Sequence, residues 1–186
     1  MPVRYRGTVT ADSIDPAQLD FMSFVEFAVE KASTELEQVD PVAMRLVLEL
    51  HRVTGAVVYD LESSVHRPSG WTWSGFRVLF VLWLVGPSES KRIAELAGIS
   101  RSATSALVKT LIKDGLVESE RSITDGRALT VSLTESGHSA ITDTFAAHNR
   151  REQLWAEALT GEERLILTGL LQKLATAISQ DGIKRR

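Results

Sequence analysis

Five polar side chains at helical spacing carry the most specific chemistry in this chain: Arg101, Ser102, Ser105, Lys109 and Lys113. At 100° per residue they share one side of a helix, with the small Ala106 beside them. Ala103, Leu107, Thr110 and Leu111 fall on the other side. Ser100 is of the type that caps a helix start, and Gly115 of the type that follows a helix end. Guanidinium and ammonium groups reach guanine edges, and hydroxyls reach bases or phosphates, so such a front suits the DNA major groove. Ser100 and Thr104 are counted with this donor set.

Other chemistries find little to build on. There is no cysteine, which excludes disulfides and thiolate metal sites. No Gly-rich phosphate loop is present, and Gly70 to Gly75 has the composition of a nucleophile elbow but not its spacing. Acidic pairs such as Glu162-Glu163 sit at helix starts, where the macrodipole accounts for them. His51 and His66 have no ligand-spaced partner and read as ordinary polar residues. An enzyme is not expected, nor a cofactor or metal.

The elements around the cationic helix must position it. A helix over about Glu89 to Ala97, with Ile93, Leu96 and Ala97 on its packing side, leads through Gly98-Ile99-Ser100 into it. That is a helix-turn-helix signal. Leu116 to Arg121 then pairs with Arg127 to Leu133, where Leu129, Val131 and Leu133 alternate with Thr130 and Ser132. Asp125-Gly126 makes the turn, leaving Arg121 and Arg127 near the tip of a wing.

At the wing, Asp125-Gly126-Arg127 followed by Ala128-Leu129-Thr130-Val131-Ser132-Leu133-Thr134 resembles the MarR family of bacterial transcription regulators. The motif-rich part covers about 50 residues, and Gly126 stands where that family often has Arg. The resemblance implies a mainly α fold with a small β-hairpin: a winged helix-turn-helix with long flanking dimerisation helices. It implies a homodimer on a pseudo-palindromic operator in double-stranded DNA, acting as a repressor. Arg127 would lead the wing onto DNA, and Asp125 would brace it. Small aromatic effectors bind many members near the preceding helix. Tyr59, Trp71, Trp73 and Arg77 are the candidates here, since aromatics beside one cation suit a phenol or aromatic carboxylate. Plain core and dimer packing is the competing reading of the same residues. A winged-helix interaction module without DNA binding is the competing reading of the whole.

The chain divides into an arm and dimerisation helices (1–73), the winged region (74–133) and carboxy-terminal dimerisation helices (134–186). Net charge is −3 overall, but it is −5 over residues 1–70, +2 over 71–133 and zero over 134–186. The positive excess thus sits on the DNA-reading stretch, and it is small enough for binding to be salt-sensitive. Residues 1–13 read as an arm with Arg4 and Arg6, and Lys184-Arg185-Arg186 as a solvated tail. Asp15-Pro16 starts a helix to Val39 with two apolar rows, Leu19 to Val39 and Phe21, Phe24 and Phe27. The second row suits another subunit. Asp40-Pro41 starts a second helix to about Val65, striped by Val42, Leu46, Leu50, Val53, Val57 and Leu61. Val78 to Val85 fits a buried strand locally, but the resemblance favours a helix over Ser74 to Val85. Thr134 caps a helix to about Leu159 with Ala140, Ile141, Phe145, Trp155 and Leu159 inward. Thr160 to Glu163 is a capping box ahead of a last helix with Leu167, Leu170, Leu171, Leu174 and Ile178. No leader or membrane span is expected, which suggests the cytoplasm.

Overall fold

The structure, a computed structural model, describes residues 16–21, 23–121 and 129–180. Asp15, Arg127, Asp125, the arm with Arg4 and Arg6, and the basic tail lie outside the described residues. The chain forms two compact units, Met1–Tyr59 and Asp60–Arg186.

In the first unit a 3₁₀ turn, Pro16–Gln18, precedes helix α1, Ser23–Glu35. The expected single helix from Asp15 to Val39 is therefore divided and shortened. Asp20 and Ser23 cause the break. The Ser23 N–H donates to Asp20 Oδ1 at 2.7 Å, and the Asp20 N–H donates to Ser23 Oγ at 2.9 Å. This reciprocal cap starts the helix afresh. Val25 and Val29 are buried, whereas Phe21 and Phe24 are 60% and 51% exposed. Helix α2, Pro41–Leu61, opens on Asp40, whose Oδ1 accepts from the N–H groups of Val42 and Ala43. An ion pair between Glu26 and Arg45 ties α1 to α2. The expected core stripe of α2 is mostly open: Val42, Leu46 and Val53 are exposed, and Leu61 is its one buried member.

The second unit is built around α3, Trp73–Val85, so the helical reading of this stretch holds. Thr72 caps it, its hydroxyl accepting from the Gly75 N–H. Phe76, Val78, Leu79, Val81 and Leu82 are all buried. A helix this apolar needs several partners around it. They are α4 (Ser90–Ala97), α5 (Arg101–Lys113), strand β3 (Leu129–Leu133) and α6 (Glu135–Ala156). Strand β2, Val117–Arg121, pairs antiparallel with β3, from Val117 opposite Leu133 to Arg121 opposite Leu129. A short strand β1, Ser88–Glu89, adds to the other edge of β3 in the order β1-β3-β2. That third strand was not expected, because two residues carry no periodicity.

The last turn of α2 continues as a π-helical turn, Glu62–His66. The Arg151 guanidinium on α6 grips Asp60 in a two-pronged pair at 2.6 and 2.7 Å. This hydrogen-bonded pairing holds the Asp60 carboxyl below its ordinary pKa. Helix α6 ends at Ala156 rather than Leu159, and the Thr160–Glu163 capping box then opens α7, Gly161–Gln180. No residue of α7 is buried.

One contact fixes where α6 leaves the wing. Thr134 donates its hydroxyl to the Gly115 carbonyl at 2.8 Å and its N–H to the Leu116 carbonyl at 3.1 Å. One turn later, Gly137 lies so close that a Cβ on it would sit 1.9 Å from the Leu116 oxygen. Gly137→Ala must therefore displace backbone at the base of the wing. Overpacking of this kind should cost about 2 kcal/mol or more. A thermal melt should show Tm lower by roughly 5 °C or more, and an unchanged Tm would refute the close approach.

Candidate nucleic-acid interface and ligand cavity

Helix α5 begins as its sequence implies. Ser100 is extended, and its hydroxyl accepts from the Ala103 N–H at 3.2 Å. The helix ends at Asp114 with Gly115 at φ +72°, a conformation glycine adopts without a Cβ clash. Its buried side is Thr104, Val108 and Leu111, with Leu107 half-buried. This differs from the expected back of Ala103, Leu107, Thr110 and Leu111, because Ala103 and Thr110 are exposed. Thr104 is fully buried, and its hydroxyl is turned onto the Ser100 carbonyl at 3.0 Å. It belongs to the anchor and not to the outer face with which it was grouped. The methyl of a threonine packs as a small apolar group once its hydroxyl has found a carbonyl. That local bond is what a pattern of apolar letters does not register.

Arg101, Ser102, Ser105, Lys109 and Lys113 are all exposed on the opposite side. Ser102 shares a hydrogen bond with Ser100, and Ser105 donates to the Arg101 carbonyl. Behind this front, α4 buries Ile93, Ala94 and Ala97, while Leu96 is 42% exposed instead of packing inward. Gly98 ends α4 in the left-handed conformation at φ +63°. At the wing, Arg121 ends β2, while Asp125 and Arg127 fall beyond the described residues.

A cavity of about 300 Å³ lies beside α3. Trp73, Phe76, Phe80 and Phe145 give it aromatic walls, and Arg77, His148 and Glu152 add charge and hydrogen-bonding groups. The Arg77 guanidinium sits 5.9 Å from the centre of the Trp73 ring, a cation–π distance. Burial lowers its pKa from the ordinary guanidinium value. Of the four expected pocket residues, Trp73 and Arg77 line this cavity. Trp71 is buried in the hydrophobic core instead, and Tyr59 is 76% exposed.

The residue that sequence reasoning missed is His148. It is buried on α6, and its Nδ1 lies 3.1 Å from Nε2 of the fully buried His66. Its Nε2 lies 3.0 Å from the Glu152 carboxylate. A carboxylate only accepts, so His148 donates to it through Nε2; when the His148 ring is neutral, its Nδ1 accepts from His66. His66 Nδ1 then faces no hydrogen-bond partner. Both rings stack on Phe76, at 4.3 and 4.7 Å between centroids. The i, i+4 spacing of His148 and Glu152 was readable; the pairing across 82 residues was not.

Burial, and then the neighbouring His148, push the His66 pKa down to about 4, against a smaller opposing pull from Glu62. The folded protein thus takes up this proton less readily than the unfolded chain, whose histidine titrates near 6.5. Stability from this residue is intact above pH 6.5 and is lost as pH falls toward 4. The loss should be of order 2–3 kcal/mol across that window. Urea midpoints at pH 7.5, 6 and 5 should fall in the native protein and fall less in His66→Phe. Parallel slopes would remove His66 as their source.

The MarR family profile matches residues 69–128. The HTH-type transcriptional regulator YwaE of Bacillus subtilis (strain 168) is 32% identical over 140 residues, which span 75% of this chain and 82% of that relative. The PcaV regulator from Streptomyces coelicolor, solved with its natural ligand, has a TM-score of 0.66 at 23% identity, covering 75% of this chain and 97% of that one. The organohalide-sensing regulator RdhR-CbdbA1625 in its 2,4-dichlorophenol-bound form has a TM-score of 0.71 at 19% identity, covering 80% and 87%. At such identities these two structures establish a shared fold.

Proposed function

The chain belongs to the MarR family of winged-helix transcriptional regulators, and from that premise we propose a homodimeric repressor of a pseudo-palindromic operator, relieved by a small aromatic effector. The observation that carries the DNA reading is the two-sided character of α5. Thr104, Val108 and Leu111 anchor it, and a row of cations and hydroxyls is left open. Arg101 and Lys109 reach base edges in the major groove, Ser102 and Ser105 reach bases or phosphates, and Arg127 reaches the backbone from the wing. Asp125 braces the wing.

Dimerisation is supported by apolar surface that one chain leaves open. Leu165, Ile166, Leu170 and Ile178 of α7 are each more than half exposed. Apolar surface of this extent on a helix of a folded chain marks an interface. A second copy is the partner, because two α5 helices must lie about 34–36 Å apart to read both half-sites. The row of Phe21, just ahead of α1, and Phe24 within it joins that interface. The effector reading rests on the cavity of Trp73, Phe80, Phe145 and Arg77, whose aromatic walls and one cation suit a phenol or aromatic carboxylate.

An electrophoretic shift with the DNA flanking its own gene tests the whole reading, and the absence of any shift would favour a protein-interaction module. Lys109→Ala and Arg127→Ala should each weaken operator binding. Losing a phosphate contact should lower the salt slope by roughly one, while losing a base contact should cost about 1–3 kcal/mol and relax specificity. Unchanged affinity in both would overturn the assigned face. Phe21→Ser with Phe24→Ser should shift micromolar protein toward monomer in sedimentation, with operator binding reduced. A folded, fully dimeric double mutant would take α1 out of the interface.

A further inference from the structure

Arg77 stands on α3, outside the helix-turn-helix, yet its guanidinium reaches the turn between α4 and α5. Its neighbours Phe76 and Val78 are buried, so the side chain starts from the core. It ends at Gly98: a Cβ there would lie 2.8 Å from the Arg77 Nη2, too close for both to keep their places. Gly98 has a left-handed φ of +63°, and its missing side chain also leaves the cation its room. At this elbow Arg77 lines an open depression together with Glu95, Ser100, Arg101 and Ser102. Arg101 and Ser102 are exposed members of the outer row of α5. The depression thus joins a cation rooted in the core to the row assigned to DNA. Glu95 is its one carboxylate and lies 3.8 Å from Arg92, so two guanidiniums leave the hollow positive. Among the described residues the Arg77 guanidinium has no hydrogen-bond or ion-pair partner, and the Trp73 ring centre is 5.9 Å away. A planar fork of five donors matches the oxygens of a phosphate two at a time.

We propose that Arg77 is itself a DNA-binding residue: its guanidinium holds one backbone phosphate of the operator in the elbow depression, beside the base-reading Arg101. This rests on the DNA reading of α5 given above and adds a contact from a helix outside the helix-turn-helix and the wing. A phosphate is the same in every sequence, so the contact carries no base information. What it fixes is the seating of α5. The cations of α5 sit on exposed side chains, whereas Arg77 is half-buried and begins in the core. It therefore ties the strand to the body of the reading head, next to the point where α5 begins. With the backbone held there, the side chains of α5 meet base edges in one register and not in several.

The test is the Kd of the full chain for the DNA flanking its own gene, measured at several salt concentrations. Arg77→Gln should weaken binding by the same factor on the operator and on base-substituted copies of it. Its salt slope should fall by about 0.9 for each chain on the DNA, the share of one phosphate. Arg77→Lys keeps the charge and should keep the slope. Replacing operator phosphates one at a time with neutral methylphosphonates should reveal one position per half-site that weakens the native protein and leaves Arg77→Gln unaffected. A residue that only shaped the turn would alter neither the slope nor that one position. If the native protein does not bind this DNA, the DNA reading fails and the inference falls with it. If the native protein binds, and Arg77→Gln has its slope and its methylphosphonate profile, the DNA reading stands and Arg77 is not a contact. Glu95→Gln is a surface change that removes the negative charge from the depression, and it should tighten binding by about twofold. Unchanged or weaker binding in Glu95→Gln would overturn the phosphate seat even if Arg77→Gln folds poorly.

Discussion

Burial of the apolar middle of α3 is the constraint from which the rest of this unit follows. Val78 and Leu79 have no exposed surface, and they are enclosed by α4, α5, α6 and β3. A helix whose middle is this apolar cannot lie alone at a surface, so the reading head is assembled around it. The short helices α4 and α5 are too small to hold their own shape in water. They are held because Ile93, Ala97, Val108 and Leu111 each contribute to the core that α3 organises. The cations of α5 are then presented on a rigid base, and a rigid base is what allows a few hydrogen bonds to discriminate between sequences.

The legible parts of this architecture were those written in local chemistry. Ser100, Thr134 and Thr160 start helices because each offers a side-chain oxygen to an otherwise unpaired N–H. Gly98 and Gly115 mark left-handed turns at helix ends. The outer residues of α5 also followed from angular spacing. Illegible were features decided by partners distant in the chain. The broken α1 depended on a cap between Asp20 and Ser23 that competes with an uninterrupted apolar pattern. Thr104 turned inward because its hydroxyl found the Ser100 carbonyl. The open stripe along α2 reads as core in sequence, since periodicity says that a face is apolar and not which molecule covers it.

The cavity shows the same division. Trp73 and Arg77 stood out as an aromatic beside a cation, and both line it. His148 and Phe145 come from α6, far along the chain, and nothing near Trp73 announces them. Their arrival adds polar groups to the lining of the cavity: the neutral His66 backs onto His148, and His148 onto Glu152. Arg77 and Glu152 thus put a guanidinium and a carboxylate in the same lining.

The junction of Thr134 and Gly137 with Gly115 and Leu116 has a consequence for how such a protein tolerates change. Both feet of the β2–β3 hairpin are fastened at the same place, one following α5 and the other leading into α6. Residues inserted between Arg121 and Leu129 would lengthen the hairpin at its far end and leave its footing undisturbed. An insertion between Gly115 and Val117, or between Leu133 and Gly137, would break the fastening and unseat α6. The fastening thus holds the root of the wing to a fixed count of residues and sets no such count between Arg121 and Leu129.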